Sequence, residues 1–307
     1  MVPVMAGLFG LMVGSFLNVC TLRWPQDESI VSPGSRCPKC LKPVQWYDNI
    51  PILSWIILRA RCRSCAGPIS VQYPLVELAS ALIWAGVFAA HGATLEALRG
   101  GIFLWILFGI SIADARFYII PNQFSMGGVV IGLGMSFFPG GIEWTRSIIG
   151  AVVGYAVLWI VGVGGTALVK KLLPGRLEEA GVDQAMGGGD IKMMMMVGAF
   201  LGVWGVAQTV FLGSLLALLV FGPISAISKR LIPLGVFLAA AAAISSPVPS
   251  RPAGMFFRMV SRCWSFSTSV IGLAIKPGAI QLTVIPREPT SCASDLEKPI
   301  MPALDAA

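Results

Sequence analysis

Residues 187–196 read GGGDIKMMMM: three glycines, a lone carboxylate at Asp190, one isoleucine and one lysine, then an unbroken run of methionines. A charged group at the edge of hydrocarbon is costly, and where one is kept the default reading is functional. What Asp190 does there depends on what the rest of the chain is.

Outward from this stretch the chain is apolar. Of its 307 residues, 56% are hydrophobic and only 12% charged, with mean hydropathy +0.80. A soluble domain averages about 25% charged residues, so roughly half the usual solvating surface is present. Apolar runs of about 18–22 residues are the length needed to cross a bilayer as helix. Candidate spans fall at 3–22, 74–91, 100–113, 123–139, 148–169, 191–204, 206–227 and 232–244. The pattern predicts an all-α polytopic membrane protein with seven or eight transmembrane helices, the stretch 191–227 reading as two spans or as one long kinked element. The first stretch does not read as a cleaved signal peptide. It lacks a basic n-region, and Cys20, Arg23 and Pro25 follow it without a small-residue cleavage site.

Four regions follow from this reading: a first helix over 1–22, a hydrophilic loop over 23–73, a membrane core over 74–244 and a tail over 245–307. The tail opens on SSPVPSRPAG, which breaks any helix, and reads as poorly ordered. It holds Cys263 and Cys292, which nothing in the pattern pairs. The chain reads without an internal repeat.

The net charge of +7 reports topology through its placement. With Met1 outside and alternating spans, the loops 23–73, 115–122, 170–192 and 228–231 hold fourteen basic residues, among them Arg116, Arg176, Lys192, Lys229 and Arg230. The opposite loops hold only Arg99 and Arg146. This asymmetry puts the N-terminus outside and the basic loops in the cytoplasm. Membrane lipids are therefore the expected surroundings, and nucleic acid is not an expected partner.

The loop 23–73 contains CPKC (Cys37, Cys40) and CRSC (Cys62, Cys65). Two C-x-x-C knuckles can set four thiolates tetrahedrally around one Zn²⁺. A loop this small cannot build its own core, so a metal would supply folding energy. Two disulfides are the alternative, disfavoured in a reducing cytoplasm. Four ligands leave no open position, so such a zinc is structural rather than catalytic.

His91 is the sole histidine and sits at a span end, and neither H-E-x-x-H nor G-x-S-x-G occurs, so serine and zinc-protease readings are poor. Three carboxylates lie at or in spans: Glu77, Asp114 and Asp190. Asp114 ends the third span and Asp190 opens the sixth, both at the cytoplasmic face. Two carboxylates at one depth can share a water and a single proton, supplying base and acid together. Gly187–Gly189 would let a peptide backbone approach closely and allow positive φ before the helix. The competing reading makes Asp190 a helix cap, and from spacing alone the two stand level.

Taken in order, GSFLNVCTLRWP (14–25), the two knuckles, YDNIPILSWIILRARC (47–62), QYPLVE (72–77), DARFYIIPN (114–122) and GGGDIK (187–192) resemble the bacterial prepilin peptidases. These are the type IV leader peptidases of the GxGD aspartic protease class. The resemblance covers 14–192 and, more loosely, extends to about 244. It implies an inner-membrane endopeptidase that cuts the leader of type IV prepilins or type II secretion pseudopilins at the cytoplasmic face. Asp114 and Asp190 align with the catalytic pair and Cys37, Cys40, Cys62 and Cys65 with the cysteine loop. Many such enzymes also N-methylate the new N-terminus with S-adenosylmethionine, an activity assigned to the N-terminal half. Gly187, Gly189, Lys192 and Glu77 are the substrate-contact candidates, with Asp48, Asn49 and Glu77 weaker ones for substrate or cofactor, and Lys192 and Arg116 either tune the aspartates or serve as positive-inside anchors. Ala60 departs from the family's usual glycine before the second knuckle, which weakens the methyltransferase expectation. LIPLGVF (231–237) keeps only part of a stretch common near the family's C-terminus. The rival readings are a non-enzymatic scaffold of a pilus or secretion assembly, in which the aspartates are caps, and a proton-coupled transporter, which would want its carboxylates nearer mid-membrane.

Overall fold

A computed structural model describes residues 1–139, 141–172, 183–184, 186–227 and 234–245, with side chains described up to 217 and again from 235. The chain divides into two compact units, Met1–Ser267 and Thr268–Ala307, and the second lies wholly outside the described residues. So do all but the first residue of the expected tail, Arg176, Lys229 and Arg230.

The described residues are helical, without a strand. They form α1 (Val2–Arg23), the short α2 (Leu53–Ile57), α3 (Gln72–His91), α4 (Leu95–Phe117), α5 (Asn122–Met135), α6 (Trp144–Leu172), α7 (Gly188–Ile227) and α8 (Leu234–Ser245). The breaks have local causes. Gly92 at φ 67 ends α3, and the Thr94 hydroxyl then accepts the Ala97 N–H to cap α4. Tyr118 at φ 55 ends α4, and Pro121 opens α5.

Five helices among the described residues are long and apolar enough to cross a membrane: Val2–Gln26, Gln72–His91, Leu95–Phe117, Trp144–Leu172 and Gly188–Ala217. This is a multi-pass membrane protein. Five are found among the described residues where seven or eight are expected, and the other candidates lie as follows. The stretch 191–227 lies within α7, two helical stretches joined across a kink at Gly202 (φ 70, ψ −171), the kinked element of the two readings. The other two candidates are α5, whose 14 residues make about 21 Å of helix against a hydrocarbon core of about 30 Å, and α8, described over 12 residues. α8 is buried along 235–242, so its apolar composition reflects the protein interior.

The helices meet through small residues, as expected where lipid competes for every apolar surface. Gly10 and Gly14 of α1 face Ala81 and Ser80 of α3 so closely that a Cβ would lie 2.7–2.8 Å from their carbons. Gly150 of α6 crosses Gly198 of α7, where a Cβ on either would overlap the other's carbonyl. The methionine run lies in the core this makes: Met193, Met194 and Met196 are fully buried.

Arg99, expected in an outer loop, is instead buried in the first turns of α4. The bend at Gly202 interrupts the regular helical path that would bond the carbonyls just before it. Arg99 Nη2 donates to Phe200 O at 2.7 Å and Ala199 O at 3.4 Å, and Ser147 Oγ donates to Ala199 O at 2.6 Å. The guanidinium is retained in the interior because the bend supplies acceptors for it.

The loop between α1 and α3 does contain a repeat, contrary to the sequence reading. Arg36–Val44 and Arg61–Ile69 share the pattern R-C-x-x-C-x-x-P followed by a β-branched residue. Each first cysteine N–H donates across its knuckle, Cys37 to Lys42 O (3.0 Å) and Cys62 to Gly67 O (2.8 Å). Each knuckle closes with a second bond, Val44 N–H to Ser35 O (2.8 Å) and Ile69 N–H to Ala60 O (2.7 Å). Nine residues used only twice are too short a unit to register as periodicity.

Candidate active site

Asp114 lies in the last turn of α4 and is 6% exposed. Its Oδ2 accepts the Val236 N–H at 3.0 Å, in the first turn of α8. A helix N-terminus carries unpaired N–H groups and partial positive charge, which suits a carboxylate. Gly235 makes the approach possible, since a Cβ there would sit 2.8 Å from Asp114 Oδ2 and 2.9 Å from Ile120 Cδ1.

Asp190 is the third residue of α7 and half-buried. Its Oδ1 is sealed from solvent and accepts no hydrogen bond, whereas a capping oxygen would accept a backbone N–H. Ile120 packs beside both carboxylates' supports, touching the positions where Gly189 and Gly235 lack side chains. Two carboxyl groups from α4 and α7 thus face one region, one anchored by backbone N–H and one with a free buried oxygen. Such a pair can hold one proton between them and orient a water.

The glycines act differently from expectation. Among the described glycines only Gly92 and Gly202 have positive φ, so Gly187–Gly189 do not use that freedom. Gly189 serves close packing, a Cβ there lying 2.9 Å from Ile120 Cβ, and Gly187 lies beside Asp190 Oδ2. Lys192 Nζ donates to Asn122 Oδ1 at 2.8 Å, tying the start of α7 to the start of α5. Arg116 Nη1 donates to Gln72 Oε1 at 3.1 Å. Glu77 is buried in α3, away from the aspartates' own contacts, and its Oε2 accepts the Ile52 N–H at 2.7 Å. Sequence reasoning missed the α8 N-terminus and Asn122, although the I-P-N following Asp114 was visible.

The four knuckle sulfurs all lie within 4.8 Å of one another, Cys37 and Cys65 at 3.8 Å. Four sulfurs about 2.3 Å from a tetrahedral centre are spaced at about 3.8 Å, so the cluster fits a metal ion. The Cys40 and Lys39 N–H groups hold the Cys37 thiol down to about 6, which is the thiolate a metal needs. Cys65 is the converse: the Gly67 N–H lowers it, but desolvation and the neighbouring sulfurs outweigh that and raise it to about 11. A cation at the centre would relieve that crowding of sulfurs. Asp48 braces the second knuckle. Arg63 grips it bidentately (Nε–Oδ2 2.8 Å, Nη2–Oδ1 2.6 Å), which holds its carboxyl below the usual range.

Two family descriptions match the chain in order: the bacterial peptidase A24 N-terminal domain over residues 8–91, and the type IV leader peptidase family over 101–222. Among curated proteins, a prepilin leader peptidase/N-methyltransferase of Neisseria gonorrhoeae is 32% identical over 238 residues, 70% of this chain and 79% of that protein. The chain belongs to the type IV leader peptidase family. Another relative so named, from Aeromonas hydrophila, is 35% identical over 68% of this chain and 76% of its own length. One from Myxococcus xanthus is 37% identical over 63% of this chain, and the match spans 54% of that protein. No solved structure matches. As a member of this leader peptidase family the chain is an enzyme, a membrane peptidase with a cysteine cluster able to hold a metal ion.

Proposed function

We propose that this leader peptidase removes the basic leader of type IV prepilins or type II secretion pseudopilins at the cytoplasmic face of the bacterial inner membrane, with Asp114 and Asp190 as its aspartic dyad. The observation that carries the reading is the unpartnered, buried Oδ1 of Asp190, on a helix start that shares Ile120 with the support of Asp114. A buried carboxyl oxygen without a donor is costly, and a water or substrate group would relieve it.

In this reading the substrate's apolar helix lies among the spans, the N-terminus of the enzyme is outside, and the leader is in the cytoplasm. One aspartate, ionised, takes a proton from water while that water attacks the scissile carbonyl carbon. The other, protonated, donates to the carbonyl oxygen. The Val236 N–H holds one carboxyl oxygen of Asp114, leaving the other for this chemistry. Gly187 and Gly189 give the backbone of the scissile segment room beside Asp190, and Lys192 holds that wall in place through Asn122. Cys37, Cys40, Cys62 and Cys65 hold a structural Zn²⁺ that gives the loop its shape.

The proposal extends to N-methylation of the new N-terminus with S-adenosylmethionine, the second activity in the relatives' names. Asp48, held by Arg63, and Glu77, which accepts the Ile52 N–H, are fixed in place as its candidate contacts.

The test is prepilin cleavage in membranes by Asp114→Asn and Asp190→Asn, made separately. Each should lose on the order of 10³-fold in rate or more while still inserting normally. Cleavage at the parent rate by either variant would remove it from the dyad.

A further inference from the structure

The geometry points to α2 as an interfacial helix that docks the tetracysteine loop onto the anionic bilayer surface around its own spans. α2 is built inside out for a helix on a water-exposed surface. Leu53, Ile56 and Ile57, at the i, i+3, i+4 spacing of one face, are 50, 58 and 64% exposed. Ser54 is the buried one: its Oγ donates to Tyr47 O at 2.9 Å and accepts the Ile50 N–H at 3.0 Å. Trp46 and Ile50 add to the outward apolar surface, with Trp46 80% exposed. Contiguous exposed apolar surface of this kind marks an interaction site.

The depth of the helix says what covers it. Ile52, the residue before α2, gives its N–H to Glu77. Glu77 is the sixth residue of the spanning helix α3, about 7 Å along its axis from the start. α2 therefore begins level with the second turn of a span, where headgroups meet acyl chains and interfacial helices lie. The bond to Glu77 also holds a backbone that would otherwise relax. Ile52 sits at φ 59, ψ −50, with the Leu53 N–H folded back on Pro51 O at 2.5 Å, a strained turn for a β-branched residue. That turn is what points Leu53 and its companions outward.

Charge agrees with the same occupant. Arg59 and Arg61 follow α2 directly, are exposed, and have no ion pair among the described residues. Across 23–73 there are seven basic residues against three acidic ones. A Trp and four branched aliphatics followed by two arginines make the composition that binds an anionic lipid surface.

The test uses the full chain in vesicles of phosphatidylethanolamine and phosphatidylglycerol with the loop facing out. Ile57→p-benzoylphenylalanine, once illuminated, should carry a covalently attached phospholipid, seen as a mass shift. Attachment to added prepilin instead, or no adduct at all, would overturn the proposal. In a second measurement, Ile56→Glu with Ile57→Glu should speed trypsin cleavage at Arg59 and Arg61 by about tenfold. Moving the parent protein into phosphatidylcholine should give a smaller gain, about threefold. An unchanged cleavage rate in both arms would also overturn it.

Discussion

Between residues 22 and 73 Ser54 is the one buried residue, whereas in α8 every residue from 235 to 242 is buried. The loop has almost no apolar interior and draws its order from four sulfurs, the Arg63–Asp48 fork and the Glu77 tether. The described bundle draws its order mainly from glycines that let helices touch, and from a few buried donors set on carbonyls. One region is stapled and the other packed. Substitutions should therefore fail differently in the two: by ligand count in the loop, by shape in the bundle.

The largest effect belongs to the staple. A structural zinc contributes on the order of 10 kcal/mol or more to a small domain, so losing one of four ligands should weaken zinc affinity by on the order of 10²-fold. Cys37→Ser should thus lower the bound zinc of purified protein from about one per chain and make the loop sensitive to protease. Full zinc content in that variant would separate the cluster from the metal. In the bundle, Arg99→Ala should cost about 2 kcal/mol, because it strands the Phe200 carbonyl at the bend, while Ala199 O keeps its bond from Ser147. Thermal unfolding in detergent reads this directly, and an unchanged midpoint would show that the bend needs no donor. Smaller again is Gly235→Ala. Its Cβ would press on Asp114 and Ile120, and misplacement by tenths of an ångström should slow cleavage by about tenfold in a folded protein.

These sites differ in how far the sequence announced them. C-x-x-C pairs and G-x-G-D are local spacings, so Cys37, Cys40, Cys62, Cys65 and Asp190 are readable without a fold. Asp114 was readable from the motif around it, but its partner was not. Val236 lies 122 residues away, on a helix whose apolar run is indistinguishable from a span by hydropathy. A kink within 191–227 was one of the two readings, but the residue that makes it was hidden, since one glycine among many carries no mark of its φ. Without the bend, Arg99 could only be counted as a loop charge, because nothing local says that two carbonyls await it. What the sequence conveyed was chemistry held in short strings; what it withheld was where distant helix ends meet.

The smallest effect tests the loop's own backbone. α2 ends with the Arg59 N–H on Ile56 O and the Ala60 N–H on Trp55 O, the paired bonds of a helix that closes through left-handed residues. Arg59 and Ala60 stand at φ 51 and 58, positions that favour glycine. The first knuckle is spared this arrangement, its counterpart Ser35 not being among the residues with positive φ. A left-handed alanine costs about 1 kcal/mol, of which the greater freedom of unfolded glycine takes back about 0.5, leaving a net gain of roughly 0.5 for Ala60→Gly. That is about a twofold change in an equilibrium, so zinc should leave the variant about half as fast under chelator. The equivalent change at Ser35 relieves no strain and should leave the release rate unchanged or slightly faster. Equal slowing by both would mean that the two knuckles are held alike, and that the strain at Ala60 is borne elsewhere in the loop.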